Sequence, residues 1–372
     1  MRNRVVSESR VTLGWFLSLA LILWAGVVGR IEAAPSLEAG VNRTVPKVTP
    51  PTGRLAFSAT PSDAEFLGTG LFSEPLAPVA GATVEENRDL ARALLAYRDA
   101  TRRTGDNDAV DPILTFLAAH PDSAWKPVLQ LDLGIVYRQT GHFSKALEIW
   151  QTGWNQTKGL TDPRGLTVAN ALVARLSQLE AYLGRKELLQ PLLDSVKPRS
   201  VGGTSEQLIT DSNTGLYDML HHPEDSFRCG PLALTRIATF SSAKPSPATL
   251  KVLDEAHSTD HGLSLTMVQG IAAKAGMPYQ MAFRSPGAAV LLPAVAHWKV
   301  GHYAAIVDKL NGRLVVQDST FGEDIRVSPS TLDEEASGYF LVRTGALPKG
   351  WRRVPKEEGD TIWGREIGRA HV

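Results

Sequence analysis

The chain has 372 residues, of which 43% are hydrophobic and 21% charged, and its 39 Lys and Arg balance 39 Asp and Glu. That length suits two domains or three small ones, and that composition suits a soluble globular protein. Zero formal charge, with no basic stripe interleaved with aromatics, argues against nucleic acid as a partner. A single cysteine excludes an intramolecular disulfide, so the fold has to rest on core burial.

Arg2, Arg4 and Arg10 precede an uncharged apolar run, Val11 to Gly29, and RIEAAPS then supplies small residues suited to cleavage near Ala33 or Ala34. This pattern predicts an export signal over residues 1–34. The run is long for a signal and nearly spans a bilayer, so a retained membrane anchor is the alternative. Either way the remainder is expected outside the cytoplasm: periplasmic, extracellular or anchored facing outwards. Residues 35–84 are rich in Pro, Ser, Thr, Gly and Ala, which predicts an extended linker with little core of its own.

From 85 to 198 the pattern is helical. Leu90, Leu94, Ala96 and Tyr97 fall near one helix face. In LDLGIVYRQTGHFSKALEIWQTGW, Gly134 and Ala146 let two antiparallel helices approach, while Tyr137 and Trp150 fill the space between them. This segment resembles a tetratricopeptide helix–turn–helix, and LSQLEAYLGRKELLQPLLDSV resembles a weaker second unit; an ordinary helical hairpin is the plainer reading. Both give a spacer or a surface for a protein partner.

A Pro/Gly/Ser stretch, Ser195 to Gln207, marks a boundary. After it, CGPLALTRIATF, SPATLKVLDEAH and LSLTMVQGIAAKAG read as helices, with Pro231 and Pro247 at first helical positions and Ser264 as a cap. MPYQMAF, AVLLPAVAHW, HYAAIVDK, GRLVVQDS and GYFLVRT read as strands, with an Asn311-Gly312 turn between two of them. Helices followed by an antiparallel sheet give an α+β domain over residues 208–345. Residues 346–372 read as a C-terminal tail.

The chemistry centres on Cys229. A thiol at a helix N-terminus is stabilised as thiolate by the macrodipole, and bare Gly230 and Gly301 leave room for a substrate backbone. A buried packing cysteine is the plainer alternative. Strand alternation places His302 at a strand start, and the Asn-Gly hairpin brings Asp318 beside it. A carboxylate can then hold one imidazole nitrogen while the other deprotonates the thiol. His297 is a rival base, but its odd offset from His302 sets it on the other face. His221 and His222 read as loop residues. No HExxH or CxxC spacing marks a metal site, and neither a cofactor motif nor a GxxxxGK[ST] phosphate loop is present.

On CGPLAL, GHYAAIVDK and VVQDSTFG, residues 215–343, about a third of the chain, resemble the bacteriocin-processing cysteine peptidases. These are papain-like domains that remove double-glycine leaders. The resemblance implies Cys229 as nucleophile, His302 as general base and Asp318 as the orienting carboxylate. The family usually carries an oxyanion-hole glutamine six positions before the cysteine; here Pro223 stands there. The Cys229 N–H, with Ser226, His222 or Asn213, is the candidate replacement. Loss of one such donor typically costs about 100-fold or more in turnover.

The expected function is therefore an exported cysteine peptidase acting on a peptide or protein substrate, behind a tetratricopeptide-like domain. The alternative is a catalytically weak or inactive papain-like peptide-binding module. Ile367 to Val372 (IGRAHV) back-translates to a common sequencing adapter, so the natural chain is expected to continue past about residue 364; a natural polar tail is the alternative. Similar domains occur near the front of long rearrangement-hotspot-repeat proteins, so processing of its own longer chain is a further expectation.

Overall fold

The computed structural model describes residues 55–241, 245–318 and 324–365. The expected export signal, the linker through residue 54 and the adapter-like residues fall outside these. In chain order the first helices are α1 (Asp63–Leu67), α2 (Val84–Thr104), α3 (Asp111–Ala119), α4 (Lys126–Gln139), α5 (Phe143–Thr157), α6 (Pro163–Tyr182), α7 (Lys186–Val196), α8 (Thr204–His221) and α9 (Pro223–Ser226). Their starts are chemically marked. Thr83 Oγ1 accepts the Glu86 N–H while the Glu86 carboxylate accepts the Thr83 N–H, a capping box. Asp162 accepts the Gly165 N–H with Pro163 in the first helical position.

The α4–α5 hairpin closes on one contact. A Cβ at Gly134 would stand 2.1 Å from Trp150 Nε1. The bare glycine lets the indole lie against α4, where Nε1 donates to the Leu131 carbonyl at 3.0 Å. Among the described residues no helix is long and apolar enough to cross a membrane.

Residues 55–83 correct the linker expectation. Phe66 and Leu76 are fully buried, and the Phe66 ring packs 4.7 Å from Trp125. The Glu74 N–H donates to Asp132 Oδ1 at 3.0 Å, and Arg175 pairs with the Glu74 carboxylate at 3.0 Å. A few well-placed large side chains anchor a stretch whose composition reads as extended. The boundary near residue 208 also moves. Leu216 and Met219 of α8 share a core with Ala181, Leu189, Leu193 and Phe227, so α8 belongs to the helical array.

The second half contains α10 (Cys229–Ser241), α11 (Pro247–Asp254), β1 (Leu263–Ser264), α12 (Leu265–Lys274), β2 (Tyr279–Arg284), β3 (Ala294–Trp298), β4 (His302–Leu310), β5 (Arg313–Gln317), β6 (Asp324–Val327), α13 (Pro329–Glu335), β7 (Ala336–Arg343), β8 (Trp351–Arg353), α14 (Lys356–Gly359) and β9 (Trp363–Gly364). The main sheet is antiparallel, in the order β6-β5-β4-β3-β7-β2-β8; β1 and β9 form a separate pair. Helices plus antiparallel sheet make this an α+β fold. Asn311 and Gly312 both take positive φ, as a tight hairpin turn requires. Ser264 caps α12 through the Met267 N–H. Pro231 is the third residue of α10, not the first, because the helix already begins at Cys229.

Both faces of the sheet are covered. Val295, Tyr303, Ala305 and Val307 face α10 and α12. Ala296, Trp298, Ala304 and Ile306 face a core continuous with the helical array. Phe143 meets Trp298 edge-on at 5.4 Å, and Ser144 Oγ donates to Glu335 at 2.7 Å. The described residues accordingly cluster as one compact unit. The tail expectation is corrected too: β8 joins the sheet edge, and β9 pairs with β1.

Two outcomes follow. Gly134→Val forces the indole out of its seat and should cost about 3 kcal/mol, at the upper end for overpacking, read as a lowered denaturant midpoint. Burial, the largest cause, raises the Asp132 carboxyl to about 8, with the Glu74 carboxylate adding to it. Between about pH 4 and about pH 8 the folded chain then holds a proton that the unfolded chain has released, so this residue's contribution to stability declines as pH rises through that window. Asp132→Asn keeps an acceptor for the Glu74 N–H and does not titrate. Its thermal midpoint should gain on wild type from pH 6 to pH 8.5; parallel curves would contradict the assignment.

Candidate active site

The helix start at Cys229 places its thiol at the N-terminal end of α10. β4 begins at His302, opposite Trp298, while its neighbour Tyr303 lies opposite His297. The two histidines thus lie on opposite faces, as alternation requires. Asp318 directly follows β5, and its Oδ2 lies 2.5 Å from His302 Nε2. Cys229, His302 and Asp318 are 2%, 1% and 5% exposed. They line one crevice with Tyr303 and Gln317 that has no space for a water molecule. The carboxylate thus occupies Nε2.

The β4–β5 ladder reaches only as far as Ala305 and Gln317. Past it, the backbone N–H groups of Tyr303, Gly230 and Cys229 lie near the Cys229 sulfur. These donors favour thiolate. Burial opposes them and is the larger effect: it pushes the thiol up to about 12. Burial likewise lowers His297 to about 4 and holds Tyr303 well above its ordinary value, with the Cys229 sulfur adding to the latter.

What covers the thiol is the end of the described chain. The Ile362 carbonyl accepts from the Leu265 N–H and from Tyr303 Oη, both at 2.8 Å. The Trp363 carbonyl lies 2.9 Å from His297 Nε2. The Arg365 N–H donates to the Gly301 carbonyl at 2.8 Å. A Cβ on Gly364 would stand 2.3 Å from the Tyr303 ring and 3.1 Å from Cys229 Sγ.

Several sequence expectations are corrected. Gly230 does not open onto a substrate: a Cβ there would meet Val268 at 2.5 Å, so its bareness serves helix packing. Ser226 Oγ donates to the His222 carbonyl and Asn213 Nδ2 to the Ile209 carbonyl; both donors are engaged within their own helical turns. The His222 side chain is mostly exposed beside Glu224. Of the four expected oxyanion donors, the Cys229 N–H alone is at the sulfur. Gly301 does stand beside an extended peptide, with φ +83°. His297, set aside as a base, instead binds Ser337 Oγ and the Trp363 carbonyl. Sequence reading missed Tyr303, Gly262 and residues 362–365; their meeting is long-range and leaves no local signature. Among the described residues, no three His, Cys, Asp or Glu side chains converge as a metal site requires.

No family model, curated protein or solved structure matches this chain.

At pH 8.5, iodoacetamide should alkylate Cys229 in the native chain at least about 100-fold more slowly than in the guanidinium-unfolded chain, where the thiol has an ordinary pKa near about 8.5. Equal rates would mean an open thiol.

Proposed function

We propose that this chain is a cysteine peptidase of papain-like arrangement, with Cys229 as nucleophile, His302 as general base and Asp318 as the group that holds the imidazole. The observation that carries this reading is the buried 2.5 Å His302–Asp318 pair in one crevice with a cysteine at a helix N-terminus. Cys229 Sγ attacks a peptide carbonyl as its proton passes to His302 Nδ1. His302 returns that proton to the leaving amine, and the thioester is hydrolysed by water, whose proton His302 takes in turn. Asp318 fixes the ring and stabilises the imidazolium.

The Gly134–Trp150 contact supports a tetratricopeptide-like reading of the α4–α5 hairpin, and with it a surface for a protein partner. The arginine-flanked apolar run at the N-terminus supports export. A second reading, a papain-like peptide-binding module without turnover, is favoured by the thiol's upward shift to about 12 and by Pro223 at the position of the family's glutamine.

Peptide-aldehyde and peptide-epoxide probes, read by intact mass, separate the two. The enzyme should form an adduct at Cys229 that disappears in Cys229→Ala and His302→Ala and slows at least about 100-fold in Asp318→Asn. A chain whose Cys229 takes iodoacetamide but no epoxide is the binding module.

A further inference from the structure

Ile362–Arg365 is held across the thiol chiefly by main chain, with Ile362 packed on the core and the Arg365 guanidinium beside Glu187 at 3.9 Å and over the Phe227 ring. Leu263 pairs with Gly364 and Ser264 with Trp363, and the Ile362, Trp363 and Arg365 peptide groups bond to Tyr303, His297 and Gly301. The slot is bare where the segment passes. A Cβ on Gly262 would stand 2.1 Å from the Gly364 carbonyl oxygen, and one on Gly184 would stand 2.4 Å from that of Arg365. On the segment itself, Gly364 has no room for a side chain between the Tyr303 ring and Sγ. Trp363, the largest side chain in the segment, remains 39% exposed. A slot that grips backbone and leaves the Trp363 side chain out suits an extended peptide whose sequence can vary at that position.

The grip is also slight. The β1–β9 pair has two residues on each strand, and a lone two-stranded pair is marginal in water. Its removal would leave the sheet and α10 intact, because their cores do not include residues 362–365 beyond the packing of Ile362.

We propose that Ile362–Arg365 is a plug acting in cis: it fills, through its main chain, the channel past Cys229 in which a peptide would lie, and keeps the thiol covered until it is displaced. Calling the channel a substrate channel rests on the reading of Cys229 as nucleophile; the covering of the sulfur does not.

The test uses the full chain and Cys229 alkylation by iodoacetamide at pH 8, followed by intact mass. Gly364→Leu cannot fit beside Tyr303 and should raise the rate at least tenfold over wild type, with cooperative thermal unfolding retained. Arg365→Pro removes the N–H that Gly301 accepts and should raise it too; it carries the test if Gly364→Leu fails to fold. The synthetic peptide Thr-Ile-Trp-Gly-Arg, acetylated and amidated, should slow alkylation of the opened variants back towards the wild-type rate. Wild-type rates in both folded variants, or no effect of the peptide on an opened one, would overturn the proposal. An opened thiol that forms no epoxide adduct would instead sink the peptidase reading and leave the plug standing.

Discussion

A strand buried on both faces has no side on which a polar group can be set down without a partner. β4 is such a strand: His302 to Val307 are buried in an unbroken row, and only Asp308 to Leu310 reach solvent. That constraint organises the site. His302, at the first position of the strand, is satisfied by Asp318. Tyr303, facing α10, sends its hydroxyl to the Ile362 carbonyl. His297, opposite Tyr303 on β3, is satisfied by Ser337 and the Trp363 carbonyl. The same alternation that separates two hydrophobic cores therefore decides which histidine meets the carboxylate and which meets the covering segment.

At the thiol, two effects of the fold oppose each other. The start of α10 and its directed N–H groups favour thiolate, and a helix terminus is worth about 0.3–1 kcal/mol for a charge at its end. Burial takes the group from 9.0 to about 12, which corresponds to about 4 kcal/mol against the anion. Burial wins while residues 362–365 lie over the sulfur. The helix dipole belongs to the backbone and persists whatever covers the thiol, whereas the desolvation comes from the α10–α12 core around Cys229 together with the Gly364 backbone laid against it.

The parts of this arrangement visible in the sequence are those set by local periodicity. The α10 and α12 helices, the β4–β5 hairpin through Asn311-Gly312, and the approach of His302 to Asp318 all follow from alternation and turn chemistry. Ends and partners were less legible. Residues 55–83 look like a linker because their composition is poor in core residues, yet Phe66 and Leu76 anchor them. Gly230 looks like a bare approach for substrate, and only the distant Val268 reveals it as a packing glycine. The segment after residue 346 carries no periodic signal, because strands of two or three residues are too short to express one. Its meeting with Cys229 is decided by tertiary contact alone.

The chain has one sulfur able to form a disulfide, so no oxidant can cross-link the folded monomer internally and no reductant can loosen it. Its cohesion is indifferent to redox potential. Its chemistry is not, because the ladder from thiolate to sulfenic acid and beyond depends on ionisation and access. With Cys229 2% exposed and the Gly364 backbone against it, peroxide finds neither. On the plug proposal, the few residues that cover the sulfur also keep it reduced in an oxidising setting.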